Sequence, residues 1–124
     1  MLPVKPEIVI IDHMGLLLSK HRDLNLKMEE IAGALTDLAV KNNIVVIAIC
    51  EITKTAMNEG MSISSVRGSF RIAYNASKIF SLSVSKDAEG DVQTLVIKTE
   101  ANRERGTLNV LVKLDGLRIG GQNV

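Results

Sequence analysis

Hydrophobic residues fall into three kinds of pattern along this chain. Two short, uninterrupted aliphatic runs come first: IVII (8–11), which closes on Asp12, and IVVIAI (44–49), which is followed by Cys50. Such runs predict central parallel strands buried on both faces. Between them Met28, Ile31, Ala32, Leu35, Leu38 and Ala39 recur at the spacing of one helical face. A helix is predicted over 26–41. Asn25 is its expected N-cap, Glu29 and Glu30 lie near the positive end of its dipole, and Lys41 lies near the negative end. Asn42–Asn43 can take the left-handed turn that stops it. Strand, helix, strand in this order is a βαβ unit with a right-handed crossover.

After Cys50 the pattern dissolves. Residues 51–65 (EITKTAMNEGMSISS) are polar and without periodicity, which predicts a long loop of the functional kind. A short helix is predicted over 66–75. From there KIFSLSV (78–84), VQTLVIKT (92–99) and TLNVLVKL (107–114) alternate apolar and polar residues. They read as antiparallel or mixed strands joined by KDAEGD and EANRERG. A last short strand, LRI (117–119), follows the Asp115–Gly116 turn, and residues 120–124 form a frayed tail. The expected architecture is α/β, one domain over 1–124, with a parallel βαβ core extended by β-hairpin strands.

Composition sharpens this picture in a few places. A chain of 124 residues is long enough for one domain. Aromatics are restricted to Phe70, Tyr74 and Phe80, so the core is expected to be aliphatic. Fifteen basic and 14 acidic residues leave a net charge of +1, so bulk charge gives no argument for nucleic-acid binding. The single Cys50 excludes a disulfide within the chain and suits a reducing compartment. No long apolar segment is present. The expectation is a cytoplasmic protein without a membrane span.

Candidate chemistry starts at Asp12. In open α/β sheets, ligands bind beyond the carboxyl ends of the strands. Four aliphatics closing on an aspartate match the Walker B pattern, whose carboxylate holds water molecules of a nucleotide-bound Mg²⁺ ion. The same pattern also fits an aspartate that merely caps a turn. Glu51 occupies the corresponding place after the second run. Arg67, Gly68, Ser69 and Arg71 put two cations, a hydroxyl and a flexible backbone at a helix start, where phosphate is attracted; a capped helix with exposed arginines is the plainer alternative. Lys98, Arg103 and Arg105 lie in or beside a turn that could present an arginine to a neighbouring subunit's nucleotide; it could equally be a solvated turn. His13, His21 and Cys50 lack metal-ligand spacing, which argues against zinc. The P-loop pattern, G-x-x-x-x-G-K-[ST], is absent.

Taken in order, IVIIDHMGLL, MEEIAGALTDLAVKNNIVVIAICEI, SISSVRGSFRIAYNASKIFSL and VIKTEANRERGTLNVLVKLDGLRI resemble the C-terminal half of the RecA-like ATPase domain in DnaB-type replicative helicases, and most of all the phage primase-helicases. The resemblance implies a P-loop NTPase fold, ATP and Mg²⁺ as ligands, and single-stranded DNA as partner. It implies a homo-oligomeric ring or a longer helicase chain. Asp12 would be the Mg²⁺-linked aspartate, acting through water, and Lys98 the hairpin lysine at the nucleotide. Arg67, Gly68 and Ser69 would grip the DNA backbone in a channel loop, beside a second loop whose only cation is Lys54. Three positions depart from the family's pattern. Glu51 stands where a Gln or His senses phosphate, and Phe70 stands where glycine is preferred. The finger arginine aligns near Glu100 or Ala101, so Arg103 or Arg105 can substitute only if the hairpin register shifts. The P-loop strand and catalytic glutamate would lie upstream of residue 1, so no ATP hydrolysis is expected from this chain alone. A non-enzymatic module that binds itself or a helicase ring is the alternative reading.

Overall fold

β-Branched runs flanking an amphipathic segment dictate the first part of the fold. In the computed structural model, which describes residues 4–52, 69–86, 92–104, 106, 109–115 and 118–121, β1 (Ile8–Ile11) and β2 (Val45–Ala48) pair in parallel. The register runs from Ile8↔Val45 to Ile11↔Ala48 without a break. Helix α1 (Leu24–Asn42) makes the crossover. Its N-cap is Asp23 rather than the expected Asn25. Asp23 has extended backbone, and its carboxylate accepts from the Leu26 N–H at 3.0 Å, whereas Asn25 already lies inside the first turn. At the other end Asn43 takes the left-handed conformation (φ 49°, ψ 57°), and its N–H donates to the carbonyls of Ala39 and Val40. The expected left-handed stop is thus present.

The expectation that both strands are buried on both faces needs correction. Burial alternates along each: Val9, Ile11, Val46 and Ala48 are half-buried, while Ile10 is 66% and Ile47 48% exposed. Among the described residues, the core packs against the inward side chains Ile11 and Ala48 of this two-stranded sheet. The core beneath it consists of Met14, Met28, Ile31 and Ala32, with Ile11, Leu17, Leu35, Ala48, Cys50 and Ile72 packed around them. It is therefore not purely aliphatic. Met14, 2% exposed, comes from a 3-10 turn (Met14–Leu16) in the segment read as loop. An unbranched thioether chain can fill the irregular gap between strand ends and helix. Helix α2 (Ser69–Asn75) contributes Ile72 to the cluster and ties itself to α1 through Arg71 Nη1–Glu29 Oε1, 2.6 Å.

Residues Met1–Ala76 form one compact unit and Ser77–Val124 a second. The second unit is an antiparallel sheet of β3 (Lys78–Lys86), β4 (Val92–Asn102), β5 (Asn109–Asp115) and β6 (Arg118–Gly121), ordered as in sequence. β6 takes in Gly120 and Gly121, which the sequence reading assigned to a frayed tail. Directly opposed residues share a face. One face collects Phe80, Leu82, Val84, Leu95, Ile97, Val110 and the buried Val112. The other carries Ser81, Ser83, Ser85, Thr94 and Lys98, along with Val96 and Leu111. Part of the expected turn 100–106 is strand: the ladder continues to Lys78↔Asn102. It does so across a bulge, because Phe80 opposes Thr99 while Ile79 opposes Ala101, leaving Glu100 as the extra residue.

Candidate functional site at the carboxyl ends of β1 and β2

The two parallel strands end level with each other, and backbone hydrogen bonds fix the chain as it leaves them. The Ile49 N–H donates to the Ile11 carbonyl, and the Ile49 carbonyl accepts from the Met14 N–H, each at 2.9 Å. Asp12 and His13 are thereby held on one side of Ile49, with Glu51 two residues further along the partner strand. Asp12 is exposed, and among the described residues no partner takes its carboxylate. The Asp12–His13 peptide is cis. Glu51 is exposed as well, and its Oε1 lies 3.5 Å from His13 Nε2. Asp12 directly follows β1, and Glu51 lies three residues after the end of β2.

His13 is the residue that sequence reading undervalued. Its imidazole lies over Gly15, where an added Cβ would come within 3.0 Å of the ring. Its Nδ1 is buried and has no hydrogen-bond partner among the described residues. A carboxylate only accepts, so the proton that faces Glu51 belongs on Nε2. The available signal was the glycine two residues after the histidine, which leaves room for the ring to fold back. The loop itself is stapled to α1. Lys27 Nζ donates to the Gly15 carbonyl at 2.9 Å, and the Ser19 hydroxyl donates to Glu30. That hydroxyl holds the Glu30 carboxyl below the usual carboxylate range, opposed by desolvation and aided by His21 and Lys20. Beneath the site the Cys50 thiol packs on the Met14 thioether, and burial pushes its pKa up. Burial of this kind disfavours the nucleophilic thiolate form.

Two exposed carboxylates at a strand edge suit a hard cation. Among the described residues no group of three or more His, Cys, Asp and Glu side chains could hold a metal ion. One or two carboxylates are the protein donors that a hydrated Mg²⁺ ion takes when ligand phosphates complete its shell. Asp12 would hold such an ion, with Glu51 beside it. The same two charges disfavour a bare phosphate at Glu51.

The other expected site residues divide by location. Lys54, Arg67 and Gly68 lie outside the described residues, and Ser69 is described only as the first residue of α2. Arg71, read from sequence as a phosphate-attracting cation, is instead committed to Glu29. In the second unit Lys98 and Arg103 are exposed, whereas Arg105 lies outside the described residues. No described helix is long and apolar enough to cross a membrane.

No family model matches this chain, and no curated protein matches it in sequence. Among solved structures it is similar to a DnaB-like replicative helicase described together with its interactions with primase. The TM-score is 0.74 at 20% identity, over 87% of this chain. The chain spans 28% of the length of that helicase. The likeness shows the fold: a mixed α/β, RecA-like arrangement of a parallel strand pair and an antiparallel hairpin sheet.

Proposed function

We propose that this chain is the nucleotide- and DNA-facing C-terminal part of an ATP-dependent replicative helicase motor. The observation that supports this best is the placing of Asp12 and Glu51 at the carboxyl ends of two adjacent parallel strands, on a fold similar to a replicative helicase. In this reading Asp12 holds the waters of a Mg²⁺ ion bound to ATP, and Glu51, steadied by His13, adds charge on the cation side. Lys98 and a hairpin arginine, Arg103 or Arg105, meet nucleotide phosphates across a subunit boundary. Arg67, Gly68 and Ser69, with Lys54 nearby, follow the backbone of single-stranded DNA without reading its sequence.

The test is calorimetric titration with a non-hydrolysable ATP analogue, with and without Mg²⁺. Binding is expected to require Mg²⁺ and to fall about tenfold or more in Asp12→Ala, as loss of a charged ligand contact implies. Mg²⁺-independent binding that survives Asp12→Ala would sink the reading. Without a P-loop the chain alone should show no ATP turnover. Arg67→Ala should weaken binding to oligothymidylate, and the wild-type affinity should fall with added salt.

A second reading, a non-enzymatic module that binds itself or a helicase ring, is favoured by the exposed apolar face of β1 and β2. Parallel sheets normally have both faces covered. Sedimentation as a clean monomer at high concentration argues against the self-binding form of it.

A further inference from the structure

The antiparallel sheet of the second unit has two edges, and they are built differently. β6 closes one edge with four residues, Arg118–Gly121, of which one is arginine and two are glycine. Short, charged or glycine-bearing edges discourage further pairing. β3 forms the other edge with nine residues, Lys78–Lys86. Between its end lysines the sequence IFSLSVS has no charge, proline or glycine. Among the described residues no strand pairs with its outer side. Both irregularities of the β3–β4 ladder put the extra residue on β4, Glu100 near one end and Gln93 near the other, so β3 itself runs unbroken. On its apolar face Phe80, Leu82 and Val84 are 45%, 59% and 52% exposed.

The pattern of β3 is also complementary to itself. From Leu82 the chain meets a serine, then an apolar residue, in either direction, and ends on a lysine both ways. Two β3 strands paired antiparallel about Leu82 would set Leu82 against Leu82, Phe80 against Val84 and Ser81 against Ser83. Directly opposed residues share a face, so apolar side chains meet apolar ones and serines meet serines. Moving the centre to Ser81 or Ser83 sets Val84 against Lys78, or Phe80 against Lys86. A register that opposes Leu82 to a serine turns the apolar face of one copy onto the serine face of the other. The centred register leaves one unfavourable pair, Lys78 against Lys86, at each end. Glu104 Oε2 already lies 3.1 Å from Lys78 Nζ, which offsets that repulsion.

We propose that β3 is a dimerisation edge: two copies of this chain pair β3 with β3, antiparallel about Leu82, and so join their four-stranded sheets into one. Such a contact is isologous and closes at two copies, unlike the head-to-tail contact of a ring. The proposal rests on the self-binding reading above and gives it a site, on β3 rather than on the exposed face of β1 and β2. Pairing along one strand buries area at the low end of stable interfaces, so a roughly micromolar dimer is expected.

The test is sedimentation of the whole chain over a concentration series, without nucleotide or Mg²⁺, together with hydrogen exchange of the β3 amides. The wild type is expected to pass from monomer to dimer, with protection of Phe80 to Ser85 rising alongside. Leu82→Lys, at the centre of the pair, should weaken the dimer about tenfold and leave the circular dichroism unchanged. Lys86→Glu, which puts opposite charges together at each end, should tighten it about two- to threefold. Ile10→Lys, on the exposed face of β1 and β2, should leave it unaltered. Cysteine cross-linking in a Cys50→Ala background reads the register independently of how Leu82→Lys folds. Oxidised glutathione should link Leu82→Cys to itself and Phe80→Cys to Val84→Cys, because opposed Cβ atoms lie about 4.5–5.5 Å apart. Phe80→Cys should not link to itself. A monomer at every concentration, a dimer lost in Ile10→Lys but kept in Leu82→Lys, or self-linking of Phe80→Cys overturns the proposal. The second of these outcomes would leave self-binding standing and move it to the β1–β2 face. Since nucleotide and Mg²⁺ are absent, all of them are separate from the test of Asp12.

Discussion

In the β1–β2 pair the register runs unbroken and both strands stop at the same level, so Asp12 and Glu51 leave the sheet at one edge. In the β3–β4 pair the register breaks at Glu100, and residues beyond it change faces. The two pairs show two different ways of placing a side chain. At a parallel edge, what counts is where the strand ends, and a short aliphatic run announces that in sequence. Within an antiparallel ladder, what counts is which face a residue takes, and a single inserted residue inverts it. Candidate positions of the first kind can be read one by one. Those of the second depend on the pairing partner.

This contrast can be broken or sharpened by experiment. The largest effect is expected at Met14, whose side chain seals the underside of the β1–β2 edge. Met14→Ala should cost about 2–5 kcal/mol in urea unfolding, with lost hydrogen-exchange protection in α1 and β1. A cost under about 1 kcal/mol would show that the edge does not depend on this plug. At the hairpin the matching device is backbone conformation. Gly106→Ala should cost roughly 1–2 kcal/mol because of its positive φ, read by thermal melting. An unchanged melting temperature would show that the turn is not held as described. Asp23→Ala removes the cap of the crossover helix and should cost about 1 kcal/mol. Asn25→Ala should do almost nothing, which separates the observed cap from the one that sequence suggested.

The smallest effects are titrations. The folded pKa of Glu30 is depressed, mainly by the Ser19 hydroxyl. Its contribution to stability is therefore present above the ordinary carboxylate range and fades as pH falls through the folded value. Ser19→Ala should move the Glu30 titration upward by NMR; no movement would remove the staple between loop and helix. Cys50 runs the other way. Its raised pKa means that the folded form disfavours the thiolate, so stability is lost as pH rises through the alkaline range. Alkylation by iodoacetamide should be slow in the folded chain and fast in urea.

Much of the frame was legible in the residues. The βαβ unit follows from two aliphatic runs around a helical periodicity, and Asn43 from its tolerance of left-handed backbone. The α/β, RecA-like fold expected from the order of segments agrees with the similarity to a replicative helicase structure. Other features were hidden because they depend on distant partners. Met14 looks like any loop residue until Met28 and Ile31 close over it. Arg71 looks free until Glu29 takes it. The exposed face of β1 and β2 is built from residues no different in type from the buried one.

Sequence by itself determined that this chain makes two parallel strands joined by a helix, that an aspartate closes the first and a glutamate follows the second, and that alternating strands come after. Local spacing suffices for such statements because periodicity and chain reversal are short-range properties. Only the tertiary structure decided that His13 folds back over Gly15 to meet Glu51, and that Glu100 stands outside the β3–β4 ladder. Those two placements depend on register and on contacts between segments far apart in the chain, which one-dimensional spacing does not encode.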